Sequence, residues 1–224
     1  MKTCQEWSLE FDLMYNNIAS NKAPGLTEYE KSIFLTRAQD AVVMSLYRGG
    51  SGVAFESNEE LTTYLANLVK EVTEDKSTKD IKVVGSIPVV KFPLVEDMLF
   101  RTLESCTIKV NGNSTVVPVI PVTQDEFWRT VSNPFKRQNK RRVLRLTGTD
   151  EEGIASELIS NYTIENYMYR YLSKPEPIIL EDIMEGYPAI SGKTKAQTCK
   201  LPESIHSLIV TEAVTLARSS WAGQ

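Results

Sequence analysis

The sequence holds a single histidine, His206, the side chain best suited to exchange protons near neutral pH. It stands beside Ser204 and Ser207 and close to Glu203, residue types that elsewhere form a nucleophile, base and orienter. Neighbours in the first turn of one helix do not put these three groups in line, so a solvated or interface histidine is the expected reading, with a hydrolase using His206 as base the remote alternative. The cysteines are Cys4, Cys106 and Cys199, odd in number and widely spaced. Cys199 lies seven residues before His206, a spacing that permits a thiol–imidazole pair without specifying one. With one histidine and no clustered cysteines, a zinc site or a disulfide framework is not expected, and no cofactor is implied.

Phosphate-binding patterns fail on register. Gly192-Lys193-Thr194 resembles the end of a phosphate loop, but the glycine required five positions earlier is Tyr187, and Gly186 is one place too far. Arg48-Gly49-Gly50-Ser51-Gly52 has no helix after it to offer amides to a dinucleotide and reads as a helix stop with a loop. The acidic pairs Glu59-Glu60, Glu96-Asp97, Glu151-Glu152 and Glu181-Asp182 read as solvated faces.

The densest charge lies in Lys136, Arg137, Lys140, Arg141, Arg142 and Arg145, six bases in ten residues with no acid among them. Such a run can protect a strand edge, meet an acidic partner or touch phosphate. Tyr162, Tyr167, Tyr169 and Tyr171 form a tyrosine-rich stretch, which suits either an interface or a strand core. The net charge of -4 does not favour general attraction to nucleic acid. Residues 1–80 carry 8 basic and 13 acidic side chains, the rest 17 and 16, so the acidity sits in the first third.

The elements that must carry these groups give an α+β reading: an N-terminal helical module, a strand-rich middle and a C-terminal helix. The expected segments are a helical module over 1–74, a strand-rich region with a short helix over 81–201, and a helix over 202–218 packing back on the body. Trp7, Phe11, Met14, Tyr15 and Ile18 recur at helical spacing. Thr27 with Glu30 makes a capping box for a second helix whose apolar face is read as Ile33, Phe34, Ala38, Ala41, Val42 and Leu46. Ser57 with Glu60 opens a third helix, read as continuing to Val72, and Glu74–Asp80 reads as a hinge.

Beyond that point the period changes to two. Ile81–Val84, Phe100–Val110, Thr115–Val122, Arg141–Leu146, Ile154–Ile159 and Ile164–Tyr171 read as strands, with Ile178–Leu180 as a further short one. Asn111-Gly112 signals a hairpin, and Pro118 with Pro121 points to an edge or bulged strand. Thr123–Glu126 reads as a third capping box, opening a helix to Val131 that Pro134 stops. The last helix starts at Pro202, with Ile205, Leu208, Ile209, Leu216 and Ala217 as its buried side. No apolar run approaches the length of a membrane-spanning helix, and Met1–Trp7 is not followed by a signal-peptide core.

One set of segments is distinctive: Phe11-Asp12-Leu13-Met14-Tyr15-Asn16-Asn17, then Ala23-Pro24-Gly25-Leu26, Tyr29-Glu30-Lys31-Ser32 and Leu35-Thr36-Arg37-Ala38-Gln39. Together with the weaker Cys199–His206 stretch, it resembles structural virion proteins of tailed bacteriophages related to the crAss-like group. Members of that family act as rings stacked beneath the portal in the head-to-tail connector or tail barrel. The resemblance covers about a quarter of the chain. It implies a virion protein assembled in the host cytoplasm as a closed homo-dodecamer, without catalysis or a membrane. Its partners would be the portal and neighbouring ring or tail proteins, with genomic DNA passing through the lumen without sequence-specific binding. The alternatives are another tail-barrel or hub subunit, or a nucleic-acid-binding accessory protein using residues 136–145.

Overall fold

The computed structural model describes residues 2–18, 25–48, 59–75, 81–84, 87–150 and 153–222. The chain divides into two units, one made of residues 1–68 and 174–224 and the other of residues 69–173. The sheet unit is thus an insertion between two parts of the helical unit, and residues 174–201, expected in the strand-rich region, belong to the helical unit instead.

The helical unit contains α1 (Cys4–Ile18), α2 (Glu28–Arg48), α3 (Glu59–Leu65) with a 3-10 turn over Ala66–Leu68, and, after a 3-10 turn over Glu203–Ile205, the last helix (His206–Ala222). Two reciprocal capping boxes start the first two helices. Thr3 N donates to Glu6 Oε2 at 2.7 Å and Glu6 N to Thr3 Oγ1 at 3.3 Å, a box not anticipated from the sequence. The expected box is present at Thr27 and Glu30, with bonds of 2.8 and 3.3 Å. Trp7, Phe11 and Tyr15 of α1 are buried, as are Ile209, Val210, Ala213, Val214 and Ala217 of the last helix.

The buried face of α2 differs from the expected one. It consists of Leu35, Ala38, Val42 and Val43 together with Lys31, Ser32, Thr36 and Gln39, while Ile33 and Phe34 are half-exposed. The physical reason is an extended segment, residues 176–180, that runs along the helix. Leu180 N donates to Ser32 Oγ (3.0 Å), Ile178 N to Thr36 Oγ1 (3.1 Å), Thr36 Oγ1 to Ile178 O (3.2 Å) and Gln39 Nε2 to Glu176 O (2.8 Å). Four helical residues rise about 6 Å and two extended residues about 6.6 Å, so Ser32 and Thr36 meet alternate peptide groups. The mismatch grows by Gln39, whose longer side chain spans it. On its other side the segment exchanges Ile179 N→Gln197 O and Gln197 N→Ile179 O bonds, each 2.9 Å, and Gln197 Nε2 donates to Pro177 O at 2.8 Å. Ile178–Leu180 is therefore held by a single bridge and a helix rather than forming the expected strand.

The sheet unit contains β1 (Val69–Asp75), β2 (Ile81–Val84), β3 (Ile87–Pro93), β4 (Met98–Val110), β5 (Asn113–Pro121), α4 (Phe127–Ser132), β6 (Val143–Asp150), β7 (Gly153–Ile159) and β8 (Thr163–Ser173). They form an eight-stranded sheet in the order β1-β8-β4-β5-β6-β7-β3-β2, antiparallel except where β5 meets β6. The third helix does not reach Val72. Val69–Asp75 instead pairs with Leu172–Asn166 of β8, because the valine-containing stretch fits a half-buried sheet edge. Ser57 and Lys76–Asp80 lie outside the described residues, as do Pro24 and the glycines at 49, 50 and 52; Arg48 closes α2.

The Asn111-Gly112 turn is as expected: both residues have positive φ, 53° and 87°, and join β4 to β5. β5 is internal rather than an edge. It pairs with β4 over Asn113–Pro118 and with β6 over Val119–Pro121, so Pro118 and Pro121 each close a ladder instead of interrupting one. Because β5 and β6 are parallel, residues 122–142 must cross from one end of the sheet to the other, and they carry α4. α4 begins at Phe127 without a side-chain cap, four residues after the capping residue expected at Thr123. Phe127 closes a small core with Val89, Leu144, Leu146 and Ile159; the larger core, around Phe92, Val143, Leu158 and Tyr167, is a separate cluster.

Thr36→Val keeps the shape of the side chain but leaves the buried Ile178 peptide groups unpaired. We expect a loss of about 2 kcal/mol in urea unfolding, against little change for the exposed Arg37→Ala. An equal effect of the two substitutions would remove the structural role assigned to the α2 polar stripe.

Candidate functional site

His206 opens α5 (His206–Ala222) and is fully buried. Its ring lies 4.8 Å from that of Trp7, and Nε2 donates to Leu201 O at 2.9 Å, since a carbonyl can only accept. Burial lowers its pKa, partly opposed by that hydrogen bond. The arrangement suits a neutral histidine that ties α1 to the turn before α5, and it offers no route to a substrate. Cys106 and Cys199 are buried thiols pushed up to about 12 and about 11 by burial, and Cys4 Sγ donates to Ile179 O at 3.6 Å. No group of three or more metal-ligating side chains occurs among the described residues. Gly192 belongs to a two-residue hairpin turn: Ser191 and Gly192 have positive φ, and Ile190 and Lys193 exchange two 3.0 Å backbone bonds. The Lys193 amide is thus taken up by the turn itself, and the segment does not open a helix as a phosphate loop does.

The tyrosines separate. Tyr167, Tyr169 and Tyr171 alternate along β8 and point into the larger core, with ring centroids 5.1 and 5.8 Å apart; Tyr162 is half-buried against the same cluster. Tyr167, Tyr169 and Tyr171 are core residues, the second of the two roles that the sequence allowed, and their buried rings leave no surface for the interface role; Tyr162 alone of the four keeps partial exposure. Tyr167 donates to Glu104, whose carboxylate also lies 3.3 Å from Arg101 Nη1 and 3.1 Å from Arg145 Nε. Burial first and the Glu104 charge second push the Tyr167 pKa up.

Arg145 thereby leaves the basic patch. It is two residues beyond Val143 on β6, shares that residue's inward face, and its side chain is only 13% exposed. The other five bases sit on the loop that ends the β5–β6 crossover. That loop is braced: Asn133 Oδ1 accepts from Phe135 N (2.9 Å), Asn139 Oδ1 from Arg141 N (2.8 Å), and Arg142 donates to Phe135 O. Buried Gln138 bonds Asn161 at 3.1 Å. Lys136, Arg137, Lys140 and Arg141 are exposed and have no ion-pair partner among the described residues. Two exposed rings accompany them, Phe135 at 85% and Trp128 at 55%. The sequence announced the charge; the exposure of Trp128 follows from α4 turning Phe127 and Val131 toward the small core.

The distinctive motif is a scaffold. Phe11 and Tyr15 are buried with centroids 5.9 Å apart, and Leu35 and Ala38 fill the core beside them in sequence. Lys31 Nζ is buried and bonds Asp12 (2.7 Å), Glu28 (2.9 Å) and Ser8 (3.1 Å). Burial alone would lower its pKa, but the bonds to Asp12 and Glu28 outweigh burial and raise it. Ser32, Thr36 and Gln39 hold the 176–180 segment, Glu30 caps α2 and Tyr29 donates to Pro188 O at 3.1 Å. Asn16 and Gly25 are exposed, and the side chain of Asn17 lies outside the described residues.

Two measurements check these assignments. Arg145→Ala leaves the largely buried Glu104 side chain, 9% exposed, under-compensated and should lower stability by about 3 kcal/mol, whereas Lys140→Ala on the loop should stay within about 0.5 kcal/mol. For His206, the folded pKa lies below the unfolded value of about 6.5, so the unfolded state takes up protons first and stability should fall as pH drops through that value. In thermal unfolding between pH 7.5 and 5.5, His206→Gln should flatten this limb relative to the parent chain. Parallel curves would show that His206 does not titrate differently on folding.

Comparison with known proteins supplies the context for a chain built around packing and surfaces. The profile of the phage tail ring protein 3/4 family matches residues 1–224. The chain is 37% identical over 223 residues to "Ring protein 3" of Bacteroides phage crAss001, covering 96% of this chain and 94% of that protein. It is 32% identical over 225 residues to "Ring protein 4/5" of the same phage, covering 97% and 93%. With full-length agreement to both, the chain belongs to the phage tail ring protein 3/4 family.

Proposed function

We propose that this protein is a non-catalytic ring subunit of the virion, many copies of which close about a rotational axis in the head-to-tail connector beneath the portal. The full-length similarity to two numbered ring proteins of one phage carries this reading. In it, twelve copies match the symmetry of a portal, neighbouring ring or tail proteins stack above and below, and the genome passes through the lumen without sequence-specific contact. Assembly takes place in the host cytoplasm. The physical features fit such a part. Two well-packed units give repeatable surfaces, and a repeated contact between two different patches of one chain generates a ring when its rotation closes. His206 and the buried thiols serve packing.

The acidity of residues 1–80 suits a wall that repels DNA rather than gripping it. The basic loop supports a second reading, in which its exposed cations touch phosphate.

Imaging of the intact particle, with mass photometry of the purified chain mixed with its portal, tests the proposal. A closed ring of about twelve copies on the DNA axis is the expected result. A chain that stays monomeric and is missing from every ring of the particle overturns it. For the phosphate reading, duplex binding by the isolated chain should weaken steeply with salt, and neutralising Arg141 and Arg142 should reduce the slope; salt-independent binding would exclude it.

A further inference from the structure

The braced loop after α4 presents an aromatic knob with a cationic collar. Phe135 stands 85% exposed between the Asn133 turn and Lys136-Arg137, and the bonds from Asn133 and Arg142 already fix its backbone. A ring held in this way loses little freedom when it is buried by a partner.

The helical unit contains a cleft of matching size and opposite charge. Thr27, Tyr29, Ile183, Met184 and Tyr187 line a cavity of ≈ 150 Å³, with Glu181 and Asp182 also on its wall. An apolar cavity of about this volume accepts one benzene ring. Its sides are set in advance: the Tyr29 and Tyr187 rings are 4.9 Å apart at 51°, Ile183 N donates to Thr194 O at 2.8 Å, and Ala196 N donates to Asp182 Oδ1 at 2.7 Å. Met184 and Tyr187 are 70% and 56% exposed, and Glu181 and Glu185 have no ion-pair partner among the described residues.

We propose that Phe135 of one copy seats in the cavity walled by Tyr29, Ile183, Met184 and Tyr187 of a second copy of this chain, packing against the contacting Tyr29–Tyr187 pair, with Lys136 and Arg137 facing Glu181 and Glu185. The inference rests on the ring reading above and names the contact that repeats around the ring. Knob and cleft are different patches of the same chain, so each copy gives one and receives one, the head-to-tail relation that a cyclic assembly requires. Opposite charges around an aromatic anchor also set which partner is accepted and make the contact weaken as salt screens it.

The test places the photocrosslinker p-benzoylphenylalanine at position 184 of the full chain, leaving Phe135 intact. Irradiation is carried out over a concentration series and in assembled rings. The expected product joins position 184 of one copy to residues 133–137 of another. Its yield should drop about tenfold or more in copies carrying Phe135→Ala, as for loss of a central aromatic anchor. Lys136→Glu with Arg137→Glu should reduce it similarly, and adding Glu181→Lys with Glu185→Lys should restore it. Circular dichroism and unfolding of these surface variants should match the parent chain. Products joining position 184 to another part of a second copy overturn this contact while leaving the ring reading in place. So does the lack of any inter-copy product in rings that are otherwise formed. If instead the products join a different ring protein, or Lys136→Glu with Arg137→Glu abolishes duplex binding and leaves inter-copy products unchanged, the loop serves that partner and the proposal fails.

Discussion

The helical unit depends on satisfying the peptide groups of residues 176–180 without a sheet. Buried N–H and C=O groups left unpaired are strongly unfavourable, and an extended segment normally finds partners in neighbouring strands. Here one neighbour is a helix. Ser32, Thr36 and Gln39 stand on a single stripe of α2 and take alternate peptide groups, while Gln197 takes the others. This explains three of the four polar side chains that the helix buries, and why its apolar residues Ile33 and Phe34 are displaced to the flank. Lys31 next to the stripe is held by Asp12 and Glu28, so α1 and α2 are tied by charge as well as by packing.

In the sheet unit, the parallel meeting of β5 and β6 has the comparable role. It forces the chain between them to leave the sheet, and that excursion carries α4, Trp128 and the cationic loop into solvent. The same topology divides one run of basic residues between two environments. Lys136, Arg137, Lys140 and Arg141 before β6 are exposed and Arg142 braces the loop, whereas Arg145, two positions into the strand, is committed to Glu104 beneath it.

What could be read from the sequence was local and periodic. The capping box at Thr27, the Asn111-Gly112 turn and the alternating strands declared themselves because their signals lie within a few residues. The third helix was read too far because Val69 and Val72 fit a helical face equally well, and only pairing with distant β8 decides for a strand. Pro118 and Pro121 pointed to an edge because a ladder shared between two partners is a property of topology. The polar stripe of α2 was missed for the same reason: its partners lie more than a hundred residues away. The motif through which family resemblance was visible includes that stripe, so resemblance carried tertiary information that periodicity did not. At the candidate surface, charge was legible and shape was not. Tyr167, Tyr169 and Tyr171 alternate in a way that serves a core as well as an interface.

The insertion of the sheet into the helical unit has a consequence for the order of folding. Joining Ser32 to Leu180 closes a loop of 148 residues, which in a flexible chain costs about 4 kcal/mol of entropy. Val69 and Leu172 are paired neighbours on β1 and β8, so a sheet that has already formed delivers the two ends of the insertion side by side. During synthesis β8 also leaves the ribosome before residues 176–180 and α5 do. The sheet can therefore act as a clasp, converting a long-range closure into a short one at the moment when the last helix arrives to cover α1 and α2.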